Sequence, residues 1–390
     1  MSGGGGGSGN LWKILLAVGV LVCGAGVALE HAHVHLGFFL PLLQAAGGLM
    51  AVFGSCEAMI LCVEGLGERK KWNPFVAGTM AGLASNVPEI IMIGFVVAAE
   101  PRVAFVVSVL TLHVNALVFG VYSGLLPKDT TGHARLPEAI TKLGSDLLAC
   151  AAGLFLAMGS LMLTLHTFDA GDHRGEGLGA GDLTAVGVGL LFVQVVSVIE
   201  LLRRFAEPDA PGSRGVEAQQ GTPPSITAIT IYGLLGMGGS FVGGHAVGEF
   251  ADALVKVLIA RGYSEMVGAI VVSLFSGIAS YLMIASAHVK GKIDIALSNV
   301  SGAVTQMPFV VFPCTLLMMA AFAQLGIIPR LPHGGVLAID LETTSVLLFA
   351  FPTLLLLRQS ISDDGMVNRL ETAAMVVLFG LIIYFLAQHG

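Results

Sequence analysis

Inside the apolar stretch from Pro74 to Ala99 stands one carboxylate, Glu89, in the run Ser85-Asn86-Val87-Pro88-Glu89. An acid at membrane depth costs roughly 2.5 kcal/mol or more, so residues of this kind mark ion or proton paths. Pro88 has no backbone N–H and frees the carbonyl of Ala84 one turn earlier. A carboxylate beside a freed carbonyl offers the oxygen ligands that hard cations take, and transporters assemble such sites at broken helices. Glu57 and Glu249 lie in two further apolar stretches and suit a proton relay or an access path, with Glu249 a second candidate metal ligand. His245, Glu249 and Asp252 fall at i, i+4 and i+7, which puts them on one face of a helix. Thr111 and Asn115, also four apart, add neutral oxygens, although small polar residues in membrane helices more often bond one helix to another.

Other polar groups have plainer readings. His113, two residues before Asn115, reads as a packed, hydrogen-bonded core histidine. His31, His33 and His35, topologically close to Asp169, Asp172, His173 and Glu176, have the donors of a transition-metal capture site. A histidine-rich surface loop is the default for such a run. The glycine-rich run from Gly236 to Gly244 lacks the Gly-Lys-Ser/Thr ending of a phosphate loop and fits close helix packing instead.

The elements that must position these groups are membrane helices. The 390 residues are 55% apolar and 12% charged, with a mean hydropathy of +0.85, too apolar for a soluble globule. Nothing in this composition suggests nucleic acid as a partner; the lipid bilayer is the expected one. All five cysteines sit in apolar runs, which favours buried thiols over disulfides or a zinc site. Apolar runs of spanning length fall near 11–29, 37–65, 74–99, 102–126, 143–166, 183–205, 225–259, 264–289, 293–324, 341–357 and 369–387. The second, seventh and ninth are long and interrupted by Gly or Pro, which predicts tilt or breaks. Fourteen of the nineteen Lys and Arg residues lie at the amino end or after even-numbered spans. That bias predicts a cytoplasmic N-terminus and an exterior C-terminus, in a cell membrane. The first span reads as a retained helix, because Lys13 is its only basic flank and Gly26-Val27-Ala28 is a poor cleavage site.

A shift of 191 or 192 positions sets Glu57 on Glu249, Glu89 on Ser280, Ser85 on Ser276 and Asn115 on Gln306. Each half then holds five spans, and an odd number forces the two halves into opposite orientations, as in inverted-repeat transporters. The predicted fold is an all-α polytopic membrane protein of about eleven transmembrane helices. Its parts are a flexible Gly-rich tail (1–10), an extra N-terminal helix (11–29), a first five-helix repeat (37–205), a cytoplasmic linker rich in Pro, Gly and charge (206–224) and a second repeat (225–387).

The stretch from Gly291 through Ser298-Asn299-Val300-Ser301-Gly302-Ala303-Val304-Thr305-Gln306 resembles the second alpha-repeat of the calcium/cation antiporter superfamily. Its continuation, Met307-Pro308-Phe309-Val310-Val311-Phe312-Pro313, is most similar to the cation/proton exchanger branch. Ser85-Asn86-Val87-Pro88-Glu89 is similar to the Gly-Asn-(Ala/Val)-(Ala/Pro)-Glu signature of the first repeat, with Gly82 before it and Ser108 and Asn115 on the helix after it. The resemblance covers about 37–387 and implies exchange of Ca²⁺ or a related cation for H⁺ or Na⁺ by alternating access. It departs from the pattern at one place: Ser280 stands where the second repeat carries a glutamate.

The resulting expectation is a secondary antiporter, not an enzyme, without a cofactor, exchanging Ca²⁺ for H⁺. Glu89 is the shared carboxylate, and Asn86, Asn115, Gln306, Ser280 and Thr111 complete the cation- and proton-binding shell. Glu57, Glu249 and His245 serve the access paths. Since Ca²⁺ takes six to eight oxygens, the missing second acid keeps a monovalent cation/H⁺ antiporter open. A non-transporting ion sensor or scaffold is the alternative from another class. The sequence does not fix the oligomeric state.

Overall fold

The computed structural model describes all residues except 1–9, 34–36, 71, 73, 131, 138–139, 169–176, 206–223, 290, 292, 332–333, 363–364 and 390. The Gly-rich tail, nearly all of the predicted linker, and His35 with Asp169, Asp172, His173 and Glu176 lie outside the described residues.

The chain is helical nearly throughout. In order come α1 (Leu11–His31), α2 (Phe39–Lys70), α3 (Pro74–Ala99), α4 (Pro101–Leu125), α5 (Ser145–Phe168) and α6 (Ala180–Phe205). A π-helical turn, Ile140–Gly144, leads into α5. The second half holds α7 (Ile226–Ala260), α8 (Glu265–Ser276), α9 (Ile278–Val289), α10 (Ile293–Gln306), α11 (Phe312–Gln324), α12 (Leu341–Ser362) and α13 (Arg369–His389). A second π-helical turn, Met307–Val311, contains Pro308 and joins α10 to α11. Four short strands, β1 (Ala134–Arg135), β2 (Gly177–Gly179), β3 (Gly335–Ala338) and β4 (Met366–Val367), lie in the connections.

Ten helical runs among the described residues are long and apolar enough to cross a membrane. The remaining predicted span, the eighth (264–289), is two helices of 12 residues each. At 1.5 Å per residue each reaches about 18 Å, well short of a hydrocarbon core of about 30 Å. The break falls at Gly277, whose N–H still bonds the Ser273 carbonyl at 3.4 Å. By contrast α3 continues unbroken through Pro88, so the helix interruption expected beside Glu89 belongs to the other half of the chain. A proline removes one donor, and here one missing bond in a 26-residue helix does not end it. The long α2 and α7 are likewise unbroken.

The core sits around α4. Of the residues in its apolar window 89% are buried, against 22% for α6 and α13, and a helix apolar on every side is a central one. Leu21, Phe192, Val377 and Tyr384 are exposed on the outer helices, as lipid-facing side chains would be. The longest packed seam joins α2 to α7. A Cβ on Gly243 would lie 2.7 Å from the Gly48 carbonyl oxygen, so backbone meets backbone there, and the Gly236–Gly244 run does serve close packing.

Contacts between the halves are reciprocal. The fourth helices, α5 and α12, pack on each other, and so do α4 with α13 and α11 with α6. Likewise α3 packs on α10 and α4 on α8. The strands repeat the pattern. β1, before α5, pairs antiparallel with β4, after α12, and β3, before α12, pairs with β2, after α5. The first pair lies at one end of the packed α5–α12 helices and the second at the other. A two-fold axis in the membrane plane would generate this exchange of equivalent loops.

Near the head of α12, Arg102, at the start of α4, pairs with Asp340 at 2.7 Å and with Glu265 and Glu342. It thereby ties α4 to α8 and to the head of α12. Glu100 is adjacent. Partial burial first, then Asp252 and Glu265, hold its carboxyl above the ordinary range, with Lys256 opposing.

Candidate cation site

Five inter-half hydrogen bonds converge where α3, α4, α8, α9 and α10 meet. Glu89, half-buried on α3, accepts from the Ser276 hydroxyl at 3.3 Å. That hydroxyl also lies 3.3 Å from the Thr111 hydroxyl on α4. Asn86, one turn before Glu89 and buried, donates its side-chain N–H to Oε1 of buried Gln306 at 2.8 Å. Tyr281, on α9, donates to Oδ1 of Asn115 at 3.0 Å, and Asn115 donates to the Ala303 carbonyl on α10 at 3.2 Å.

Local sequence explains each placement. Ser85 and Ser276, equivalent by the 191-residue shift, each turn the hydroxyl back on their own helix, to the Gly82 and Ser273 carbonyls at 2.7 and 2.9 Å. Gly82 and Gly302 leave room for the Gln306 amide: a Cβ on either would stand 3.4 or 3.3 Å from Nε2. Gly277 leaves room for the Tyr281 phenol, which a Cβ would meet at 2.2 Å. The thiol of Cys56 on α2 faces the Ser85 carbonyl at 3.6 Å, and so α2, which carries half-buried Glu57 one residue later, closes the group from another side. The amides again show reciprocity, since Gln306 and Asn115 are equivalent and each is held by a side chain from the other half's preceding helix.

Thus Glu89, Asn86, Asn115, Thr111 and Gln306 are brought into one region. The repeat sets Ser280 opposite Glu89, yet the hydroxyl on Glu89 belongs to Ser276, one turn earlier. The break at Gly277 is what parts the two positions, because it separates the end of α8 from the start of α9. Glu249 and His245 are exposed on α7, with His245 Nδ1 3.9 Å from Glu249 Oε1, and the His245 ring packs on Phe95 at 5.1 Å. Asp252 pairs with Lys256 at 2.6 Å. Among the described residues no three His, Cys, Asp or Glu side chains converge as a metal-ligand group. His113 is the core histidine expected, with Nδ1 3.0 Å from the Thr353 hydroxyl and Nε2 3.2 Å from the Val346 carbonyl. His31 bonds only its own helix, at the Val27 carbonyl, in the contacts of that side chain that the structure gives.

Two contributors escaped the sequence reading. For Tyr281 the one available signal is that a phenol in an apolar span calls for a partner. Ser276 was paired only with Ser85, because nothing in the sequence located the helix break. Chemically the region offers one carboxylate among neutral amide, hydroxyl and phenol oxygens, a set suited to binding either a proton or a cation.

Residues 228–388 match the family model of the sodium/calcium exchanger protein. No curated protein matches. The fold is shared with solved structures. The H⁺/Ca²⁺ exchanger CAX matches with a TM-score of 0.66 at 11% identity, over 96% of this chain and 91% of that one. Native YfkE matches at 0.56 and 16% identity, over 96% and 99%. The sodium-calcium exchanger NCX_Mj, soaked with Na⁺ and Sr²⁺, matches at 0.55 and 14%, over 89% and 99%.

Proposed function

We propose, from the premise that a chain with a sodium/calcium exchanger second half and the exchanger fold throughout is a member of the calcium/cation antiporter superfamily, that it exchanges a cation for protons by alternating access. The observation that carries this reading is the position of Glu89. It is a carboxylate within an apolar helix at the meeting point of α3, α4 and α8, with the Ser276 hydroxyl against it and the Thr111 hydroxyl against that of Ser276. A carboxylate binds either a proton or a cation, and competition for that one group couples the two fluxes. Asn86, Asn115 and Gln306 supply neutral oxygens to the same region, and Glu57, Glu249 and His245 line the approaches. The two halves move as units about the axis their reciprocal contacts imply.

Ca²⁺ is the cation of first choice, in keeping with the family. A monovalent cation is the second reading, and one observation favours it: a serine hydroxyl, not a second carboxylate, faces Glu89. Full dehydration of Ca²⁺ demands several charged oxygens, whereas one carboxylate balances one charge.

The test is flux in proteoliposomes loaded with H⁺, with Ca²⁺, Na⁺, K⁺, Mg²⁺ or Mn²⁺ added outside. At least one cation should dissipate the proton gradient, and Glu89→Gln should abolish that exchange. A parent protein in which no cation moves protons ends the antiport reading. A Glu89→Gln variant that transports like the parent ends the assignment of the site.

A further inference from the structure

The central helix α4 meets the split span α8–α9 at four polar contacts spread along its length. Arg102 pairs with Glu265, and the Thr111 hydroxyl lies 3.3 Å from that of Ser276. Asn115 accepts from Tyr281 at 3.0 Å, and the Tyr122 phenol lies 3.3 Å from His288 Nδ1. The partners are 163, 165, 166 and 166 residues apart in sequence. A separation this constant means that α4 and the split span run side by side in the same direction. At 1.5 Å per residue, Arg102 to Thr111 is about 14 Å along α4 and Glu265 to Ser276 about 17 Å along α8, so the contacts stay nearly level.

Each short helix is thus fixed to α4 at two points, one in the cation site and one remote from it. For α8 these are Ser276 at its tail and Glu265 at its head. For α9 they are Tyr281 in its first turn and His288 in its last. Between the two contacts on α8, Val103 and Val106 of α4 and Met266 and Ala269 of α8 line a small cavity under Arg102. Packing among apolar groups is non-directional, so the polar contacts fix how far each helix slides along α4. The remote ones are well built for that task. Arg102 also takes Asp340 and Glu342, and the Tyr122 ring packs edge-on against His288 at 5.6 Å.

We propose that Arg102 and Tyr122 are positioning residues for the cation site, each acting through its own short helix. Arg102 sets the height of α8 and hence of Ser276, whose hydroxyl meets Glu89 at 3.3 Å. Tyr122 sets α9 and hence the Tyr281 phenol on Asn115. An unbroken helix would pass a shift at either end to both inner contacts. The break at Gly277 separates them, so the head of α8 can be disturbed without moving Tyr281. The effect on transport rests on Glu89 being the exchange site, whereas the separate tethering of α8 and α9 does not.

The experiment follows amide hydrogen–deuterium exchange by mass spectrometry in the full chain, in lipid nanodiscs, for the parent, Arg102→Gln and Tyr122→Phe. Arg102→Gln should speed labelling along α8 to its last turn, Ser273–Ser276, and leave α9 at the parental rate. Tyr122→Phe keeps the ring and removes only the hydroxyl; it should speed labelling in α9 and leave α8 unchanged. No acceleration, acceleration confined to the first turn of α8, or equal acceleration of both helices in either variant overturns the proposal. Should Arg102→Gln fail to fold, the parent at about 1 M salt, which screens exposed charge pairs, should reproduce its pattern, and an unchanged α8 overturns the role of Arg102. In cation-driven proton flux, Arg102→Gln should raise KM for the driving cation by about fivefold, the scale of a partly exposed ion pair, with kcat near the parent's. Arg102→Lys should restore most of that loss, and a parental KM in Arg102→Gln overturns its positioning role. A failed exchange reading shows instead as flux that no cation drives, or as unchanged flux in Glu89→Gln, and the labelling of α8 and α9 then decides the proposal by itself.

Discussion

Gly277→Ala isolates one contact on which the site depends. Gly277 has φ −82° and ψ −7°, which alanine adopts freely, so the backbone itself does not resist the change. The added Cβ would stand 2.2 Å from the Tyr281 phenol oxygen and 2.3 Å from its Cζ. Ordinary contact begins near 3.4 Å, so the ring must move by about 1 Å. The phenol is held by its 3.0 Å bond to Asn115, and a displacement of that size breaks it. Interhelical hydrogen bonds inside membranes are worth about 0.6 kcal/mol on average and about 1.7 at most. With about 1.4 kcal/mol per factor of ten, the conformation that holds Asn115 loses between threefold and twentyfold in population. The assay is cation-driven proton flux with thermal unfolding in detergent, for Gly277→Ala, Tyr281→Phe, Tyr281→Ala and the double variant Gly277→Ala/Tyr281→Ala. Tyr281→Phe should reproduce most of the flux loss of Gly277→Ala, and the double variant should be no worse than Tyr281→Ala alone. Parental flux in Gly277→Ala, or additive losses in the double variant, would refute the reasoning.

Two further outcomes concern the cluster around Arg102. Arg102→Gln leaves the carboxylates of Glu265, Asp340 and Glu342 facing one another; these groups are a quarter to two-fifths exposed, and pairs of that kind contribute only about 0.2–1 kcal/mol each. The thermal midpoint should fall modestly at low salt and recover at 1 M salt, where screening is nearly complete, and an equal loss at both ionic strengths contradicts the ion-pair account. Glu100 binds its proton more tightly in the folded chain than in the unfolded one, so its contribution favours the folded state at low pH and is lost as pH rises through the raised value. Glu100→Gln should therefore gain thermal stability over the parent at pH 7 and lose that advantage near pH 4, and a pH-independent difference would count against the shift.

All eleven spans are legible in the sequence as apolar runs, because length and apolar content decide whether a segment can cross a bilayer; the division of the eighth into two short helices is not. The π-helical turn at Pro308 falls in the ninth span, among those whose interruptions suggested breaks. What the sequence misplaced were local outcomes of tertiary packing. Pro88 carries the stronger breaking signal, yet α3 runs on through it, while α8 ends at Gly277, where the Tyr281 ring occupies the space a side chain would need. The same break moved the hydroxyl facing Glu89 from Ser280 to Ser276, a shift invisible to an alignment of the two halves. Asn86, Asn115 and Gln306 were legible as polar residues recurring at a fixed offset. Tyr281 was not, because its repeat counterpart, Ile90, is apolar.

The two strand pairs also order events during synthesis. Arg135 of β1 pairs with Met366 of β4, about 230 residues later. At roughly 5–20 residues per second, β1 waits some 10–50 s for its partner. Leu178 pairs with Leu337, so the second pair can close sooner, before α12 and α13 have been made. A ribosome working through this message thus completes one face of the protein while the other still holds an open strand edge, and the last two helices insert against a half-clasped bundle.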